Sequence, residues 1–379
     1  LYEKFVIKDN NNNYAFANPV NSNIYMDMKN TCGVTEDNFD YWTGYLYDKG
    51  CISELSMSES QNLSCYTLNN LDDNYPEGKK IELSLLSNVY LQNSTLSNLD
   101  FLSNIDNLYR LNVQNTGIEN VDGLSKITSY YYLNLANNNL NNINGLSNTT
   151  NFNSYLYLNN NEQLNDYSGL SNVSNSGGIR IDNRDNMTFP SQGTAFCENN
   201  IYENFVINDN GTWRKATPLN SFIYEDARTA CGDEDNFDYW AGYLVDLGCY
   251  SNYSMSENTS VTCSTVNYND TKYPSGETFK VSSLNTLNLR SSTLNSLDFL
   301  STVNQINTIY FENLNLTDIN GLSNLNSFNN IYLRNNELTT LSPLSNVSGN
   351  VSNIYIDNNN LSNLNGLNDI TSANIIYVM

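Results

Sequence analysis

The sequence predicts an α/β solenoid, mostly strand and loop, in which short parallel strands stack coil upon coil. It predicts two tandem copies of that solenoid, each preceded by a small disulfide-stapled helical cap. Three observations point there. Apolar–x–apolar triplets recur about every 22 residues. Whole phrases of the first half return about 198 residues later. The seven cysteines lie outside the periodic stretches, and three in the first copy match three in the second.

The duplication comes first, because repetition at a fixed period marks an array architecture. Tyr2-Glu3-Lys4-Phe5-Val6-Ile7 returns as Tyr202-Glu203-Asn204-Phe205-Val206-Ile207. Asp37-Asn38-Phe39-Asp40-Tyr41-Trp42 returns unchanged, ending at Trp240. Gly50-Cys51 returns as Gly248-Cys249, and Leu99-Asp100-Phe101-Leu102 as Leu297-Asp298-Phe299-Leu300. The chain therefore divides into a cysteine-bearing segment at 1–80, a periodic segment at 81–196, a second cysteine-bearing segment at 197–278 and a second periodic segment at 279–379. Ile179-Arg180-Ile181 corresponds to Ile376-Tyr377-Val378. The second copy thus stops inside a predicted strand, and a longer parent molecule is expected.

Within each copy the shorter period is regular. Val121-Asp122-Gly123-Leu124-Ser125 recurs 22 residues later as Ile143-Asn144-Gly145-Leu146-Ser147. The strand cores begin at Val89, Leu111, Leu133, Leu156 and Ile179, then at Leu287, Ile309, Ile331, Ile354 and Ile376. This pattern resembles the short 22-residue leucine-rich repeat of bacterial internalins and related proteins, over about residues 84–190 and 282–379. The resemblance implies one short parallel strand and one return segment per coil, and a column of Leu, Ile and Val that no single coil could bury alone. It also implies an Asn that satisfies backbone groups between coils. Asn138, Asn161, Asn336 and Asn359 occupy that position; Ser94, Thr116 and Ser292 are partial substitutes. Leu314 and Arg184 depart from the pattern, so a break in the ladder is expected at both.

The two caps lack the period. The stretch 235–249 reads as an amphipathic helix with Phe237, Trp240, Leu244 and Leu247 on one face. Asp233 or Asp235 is expected to cap its start, and Gly248 to stop it. Such a helix would cover the first coil, whose open end otherwise exposes apolar core. Cys32, Cys51 and Cys65 match Cys231, Cys249 and Cys263, while Cys197 stands just before the second copy. Four cysteines per unit make two disulfides with three possible pairings, and imply an oxidising, extracellular setting. With no His and no CxxC pair, zinc is disfavoured. The acidic residues Asp233, Asp235 and Asp238 are a weak calcium candidate, short of the twelve-residue loop of an EF-hand. No cofactor is otherwise expected.

A formal charge of -23 opposes nucleic acid and anionic membrane as partners, and no apolar run is long enough to span a bilayer. Without His, triad and zinc-water chemistry lose their usual base, and no phosphate loop appears; the chain is not expected to be an enzyme. Asn accounts for 74 residues, an excess that an AT-rich genome would explain. Thirteen glycosylation sequons begin at Asn62, Asn93, Asn148, Asn172, Asn186, Asn210, Asn252, Asn258, Asn269, Asn315, Asn346, Asn350 and Asn360.

The residue between the two apolar members of each triplet faces outward on the concave sheet. In the second copy these are Asn288, Tyr310, Tyr332, Tyr355 and Tyr377; in the first, Tyr90, Asn112, Asn134, Tyr157 and Arg180. Arg290, Glu312, Arg334, Tyr132 and Tyr155 flank them. Exposed aromatics among a few charges suit protein and sugar partners, although stacked Tyr also stabilise neighbouring strands. Two functions follow as expectations. One is an extracellular fibre or surface stalk of units arrayed head to tail, with copies of itself as partners. The other is a cell-surface adhesin or receptor ectodomain that binds glycan or a host-surface protein.

Overall fold

The computed structural model describes residues 5–8, 14–19, 21–33 and 40–378. The chain forms two compact units, Leu1–Glu234 and Asp235–Met379. This division falls inside the segment 197–278 that the sequence reading takes as one piece.

The first unit opens with a hairpin, β1 (Val6–Lys8) and β2 (Tyr14–Phe16), then α1 (Asn23–Thr31) and α2 (Tyr41–Asp48). Six strand positions of the solenoid follow: β3 (Asn62–Ser64), β4 (Leu85–Tyr90), β5 (Asn107–Asn112), the interrupted pair β6 (Ser129–Tyr130) and β7 (Tyr132–Asn134), β8 (Asn151–Tyr157) and β9 (Asn175–Arg180). After α3 (Ala195–Glu198) come a second hairpin, β10 (Phe205–Asp209) and β11 (Thr212–Lys215), and α4 (Phe222–Cys231). The strands make one sheet in the order β11-β10-β9-β8-β7-β5-β4-β3, with β6 on β8. All its neighbours are parallel except β10 with β11. The second hairpin therefore closes the far end of the first solenoid: Phe205 lies opposite Ile179, and Val206 opposite Arg180.

The second unit contains α5 (Tyr239–Asp246), β12 (Thr259–Thr262), β13 (Ser283–Asn288), β14 (Gln305–Tyr310), β15 (Asn330–Tyr332), the short β16 (Gly349–Asn350), β17 (Asn353–Tyr355), β18 (Ile370–Ser372) and β19 (Ile375–Tyr377). Its main sheet runs β12-β13-β14-β15-β17-β19, parallel throughout. Both units are mostly parallel strand with few helices, the architecture of a leucine-rich-repeat solenoid.

Each coil has the same internal logic. The strand's apolar pair is buried in every coil but the last, as at Leu133 and Leu135 or Ile331 and Leu333. An Asn then turns the chain with positive φ, at Asn93, Asn115, Asn137 and Asn160 in the first unit and Asn313, Asn335 and Asn358 in the second; Asn accepts that conformation more readily than other residues with a Cβ. The next residue is the ladder Asn at 138, 161, 336 and 359, with Ser94, Thr116 and Leu314 in the other coils. Asn138 Nδ2 donates to the carbonyls of Val113, Leu135 and Ala136, and its Oδ1 accepts from Thr116 and Gly117. Asn336 does the same for Phe311, Leu333 and Arg334 while accepting from Leu314 and Leu316. Asn161 and Asn359 repeat the arrangement. A turn of 3-10 helix, such as Asp122–Leu124 or Asn320–Leu322, completes the return.

The turn also fixes how closely coils stack. A Cβ on Gly321 would lie 1.7 Å from the Leu297 carbonyl oxygen, and on Gly145 2.0 Å from that of Val121. At these two turns only glycine allows that approach, whereas the Ser342–Leu344 turn holds Pro343 at the same place. In the first complete coil of each unit the same place holds Phe101 or Phe299. There, instead of a preceding turn, the ring meets Trp42 of α2 or Trp240 of α5, each at 4.3 Å between centroids. The indole N–H of Trp42 donates to Lys79 O, and that of Trp240 to Glu277 O.

Three local expectations need correction. Asp238, not Asp233 or Asp235, caps α5; its carboxylate accepts from Ala241 N and Met255 N. The helix is also shorter than the stretch that suggested it, so Phe237 and Leu247 lie beyond its ends and only half-buried, while Gly248 follows in the left-handed conformation. The ladder does not break at Arg184, whose guanidinium donates to the carbonyls of Asn161, Glu162 and Leu164. At Leu314 the side chain supplies no hydrogen bond, and Asn336 of the next coil takes up the local N–H groups instead.

Candidate functional site

The outward column of the second unit is in strict register: Tyr310, Tyr332, Tyr355 and Tyr377 lie directly opposite one another on β14, β15, β17 and β19. A parallel sheet spaces neighbouring strands by about 4.8 Å, close to the separation that offset aromatic rings favour. The rings accordingly stack at 4.6, 4.9 and 6.1 Å between centroids. Burial between its two neighbours raises the Tyr332 phenol above its usual pKa.

Charges run beside this column in alternating sign: Arg290, Glu312, Arg334, Asp357. Arg290 pairs with Glu312, and Arg334 Nε with Asp357 Oδ1 at 2.8 Å. Each guanidinium also covers a ring, Arg290 at 4.2 Å from Tyr310 and Arg334 at 4.5 Å from Tyr355, where the π face attracts a cation. On the other flank Asn353 donates to Asn330, and Asn330 to Thr308 Oγ1. The result is a pre-ordered strip with an aromatic spine, a neutralised ionic edge and an amide edge.

The first unit carries a different face. Tyr90 and Tyr157 are not brought together, because Asn112 and Asn134 stand on the strands between them. Asn134 donates to Gln114 Oε1 and to the Tyr132 hydroxyl. Tyr157 instead gathers Tyr132 at 5.3 Å and Arg180 at 4.9 Å. Arg180 is sandwiched further by Trp213 of β11, 4.7 Å away. Tyr155 lies against Gly178, where a Cβ would come within 2.5 Å of its ring. Oxygen atoms of Asn88, Gln92 and Asn159 are buried here with no protein partner.

Two elements of these faces escaped the sequence reading. Trp213 belongs to a segment without the 22-residue period. Tyr109 and Tyr131 stack at 4.8 Å with Arg110 over the latter ring at 4.7 Å; their 22-residue spacing was the available signal.

The acidic candidates have local partners. Asp233 accepts from the Tyr202 hydroxyl, Asp235 from Phe237 N and the Tyr239 hydroxyl, and Asp238 caps α5. Among the described residues, no group of three or more His, Cys, Asp or Glu side chains is arranged to hold a metal ion. All thirteen sequon Asn are exposed, but Asn148, Asn172 and Asn346 spend their Nδ2 on carbonyls of the preceding coil, those of Ser125, Ser147 and Ser323.

The disulfides are Cys51–Cys65, Cys197–Cys231 and Cys249–Cys263, and Cys32 is an exposed free thiol. Closing a loop of 14 residues restricts the unfolded chain by about 3 kcal/mol. Among the described residues, no helix is long and apolar enough to cross a membrane.

The chain matches no family model and no curated protein. Among 22 matching solved chains is an internalin, inlF, from Listeria monocytogenes str. 4b F2365. The two are 13% identical, and the match covers 89% of this chain and 90% of that one with a TM-score of 0.28. A superposition that loose carries no argument; the solenoid stands on its own strand order, register and coil geometry.

Proposed function

We propose that this chain is part of an extracellular structural protein whose leucine-rich-repeat units are joined end to end as a fibre or surface stalk. The joint within the first unit carries this reading. There β10 continues the solenoid sheet in parallel from β9, and Cys197–Cys231 staples the segment that supplies it. A segment that finishes one solenoid and leads into the next is what a tandem array needs. The phrases that return in the same order in both copies support their origin as one repeated unit, with α2 and α5 as caps on the first coils. The disulfides favour an oxidising, extracellular compartment, where the exposed sequons would be available for glycosylation. No catalytic role is proposed. Electron microscopy of the native protein should show regular rods or filaments with an axial repeat set by the unit. Dispersed compact particles alone would sink the reading.

A second reading rests on the Tyr310–Tyr377 strip: an adhesin or receptor surface that takes a protein or glycan on the concave face. Its rings and guanidinium groups are held in place before any partner arrives, which lowers the ordering cost of binding. Changing Tyr332 and Tyr355 together to Ser should abolish capture of a surface partner while the disulfide-linked fold survives; unaltered capture would exclude this face.

A further inference from the structure

Arg180 stands on the concave face of the first unit, held by rings but matched by no acid. Its guanidinium lies 4.9 Å from the ring of Tyr157, its direct neighbour on β8, and 4.7 Å from Trp213 of β11. Nε is buried without a hydrogen-bond acceptor. Among the described residues, no side-chain hydrogen bond or ion pair holds the group. Asp182, the nearest acid in sequence, is engaged elsewhere. Both its oxygens accept from Asn160 N, and it lies 3.9 Å from Arg184.

The second unit treats its guanidinium groups differently. Arg290 and Arg334 also lie over tyrosine rings, but each is matched by a carboxylate, Glu312 or Asp357. The chain has 40 acidic residues against 17 basic ones, so Arg180 is not unmatched for want of carboxylates. A guanidinium carries five N–H donors in one plane. Rings that cover its flat faces leave the edge of the fork, which fits the two oxygens of a carboxylate. They also fix the group before a ligand arrives, which lowers the cost of ordering it.

The surroundings select among carboxylates. From Arg180 the row across the sheet runs Tyr157, Asn134, Asn112, Tyr90. Asn134 is buried, bonded to Gln114 and the Tyr132 hydroxyl, and forms the floor. Tyr157, Asn112 and Tyr90 are half-buried and remain open to a ligand. Phenols and amides both donate and accept, as sugar hydroxyls do. The row has no aliphatic side chain to receive the apolar residues of a peptide. A formal charge of -23 repels a polyanion at long range, so one acidic group on a neutral body fits best. We propose that the first unit binds a neutral oligosaccharide carrying one carboxylated sugar. The carboxylate meets Arg180 between Tyr157 and Trp213, and the hydroxyls run along the row toward Tyr90. This site belongs to the first unit and goes beyond both readings above.

Tryptophan emission gives a local readout, because Trp42 and Trp240 are buried while Trp213 is half-buried beside Arg180. The full chain is titrated with sialyllactose and, separately, with xylotriose bearing one glucuronic acid. Lactose and plain xylotriose are the neutral counterparts. At least one acidic sugar should shift the emission saturably. Its neutral counterpart should bind at least about tenfold more weakly, the loss expected of one charge-assisted hydrogen bond. Arg180→Gln should weaken binding of the acidic sugar as much, and Arg180→Lys should not restore it, since an ammonium lacks the planar fork. Lys126→Gln removes the same charge from an exposed pair with Asp106 and should leave the affinity unchanged. No response to either acidic sugar, an equal response to the neutral ones, unaltered affinity in Arg180→Gln, or an equal loss in Lys126→Gln would each overturn the proposal. So would a glutamate-containing peptide that binds more tightly than both acidic sugars. The comparison of acidic with neutral sugar needs no variant, so it decides even where Arg180→Gln loosens the β10–β11 hairpin.

Discussion

In the first unit the outward column of the sheet reads Tyr90, Asn112, Asn134, Tyr157, Arg180; in the second it reads Asn288, Tyr310, Tyr332, Tyr355, Tyr377. The inward positions of the same strands hold Val89, Leu111, Leu133, Leu156 and Ile179 against Leu287, Ile309, Ile331, Ile354 and Ile376, fully buried except Ile376 on the last strand. The interior is thus restricted to branched aliphatics of similar volume, while the face has changed from amide pairs to a tyrosine stack. The difference shows which constraints are physical. Close packing and the backbone hydrogen bonds of the coil admit few alternatives, whereas the face tolerates any side chains that satisfy one another.

If that division is right, the largest effects come from interior polar residues and strike both units alike. Asn138→Leu and Asn336→Leu keep roughly the shape but strand several buried carbonyl and N–H groups. Each stranded group costs about 1–3 kcal/mol, so either variant should lose about 3 kcal/mol or more in a urea titration. A loss in one unit and none in the other would break the comparison.

That interior was largely legible. The 22-residue period located the strands, because one buried pair per coil is needed wherever coils stack. The Asn ladder was implied by the leucine-rich-repeat resemblance that this spacing carries. Other features depended on three-dimensional neighbours that no periodicity encodes. Arg184 replaces the ladder Asn because its long side chain reaches three carbonyls at once. The segment around 197–234 looked like the start of a second cap. Only the pairing of Phe205 with Ile179 reveals it as the closure of the solenoid before it. The Asn excess also has a physical use beyond base composition. Beside the buried ladder, Asn160 bonds Asn137, and Asn358 bonds Asn335, in a second column along the positive-φ turns.

The face should respond differently in the two units. Tyr332→Ser removes two ring stacks, each about 0.5–1.5 kcal/mol, and should destabilise the second unit by about 1–3 kcal/mol. Converting its counterpart by Asn134→Tyr should add less than that, since a ring there meets Tyr157 on β8 but only Asn112 on β5, and the hydrogen bonds from Asn134 to Gln114 and Tyr132 are lost. Thermal melts of both variants test this asymmetry. A smaller effect is expected of Arg334→Gln. The pair with Asp357 is partly exposed, at 33% and 11% of the two side chains, and such pairs contribute about 0.2–1 kcal/mol. The loss should shrink further in high salt, where exposed charges are screened.

The smallest and most local test compares two cognate carboxylates. Glu59 accepts from Ser84 N, Ser84 Oγ and Leu85 N. Glu257 accepts from Ser282 N, Ser282 Oγ and Ser283 N, and gains one further donor, the Ser283 hydroxyl, where the first unit has Leu85. The Ser282 N–H first, then the Ser283 hydroxyl, hold the Glu257 carboxyl down at about 2, against an ordinary 4.5. A carboxyl whose folded value lies below its unfolded one stabilises the fold above the unfolded value and loses that contribution as pH falls through the folded one. Glu257 should therefore add to acid sensitivity between pH 4.5 and about 2, and leave the pH dependence flat above that window. Ser283→Leu makes the second unit resemble the first at this point and should raise the Glu257 value toward 4.5 in an NMR carboxyl titration. A value that stays near 2 would mean that the two backbone N–H groups and the Ser282 hydroxyl suffice.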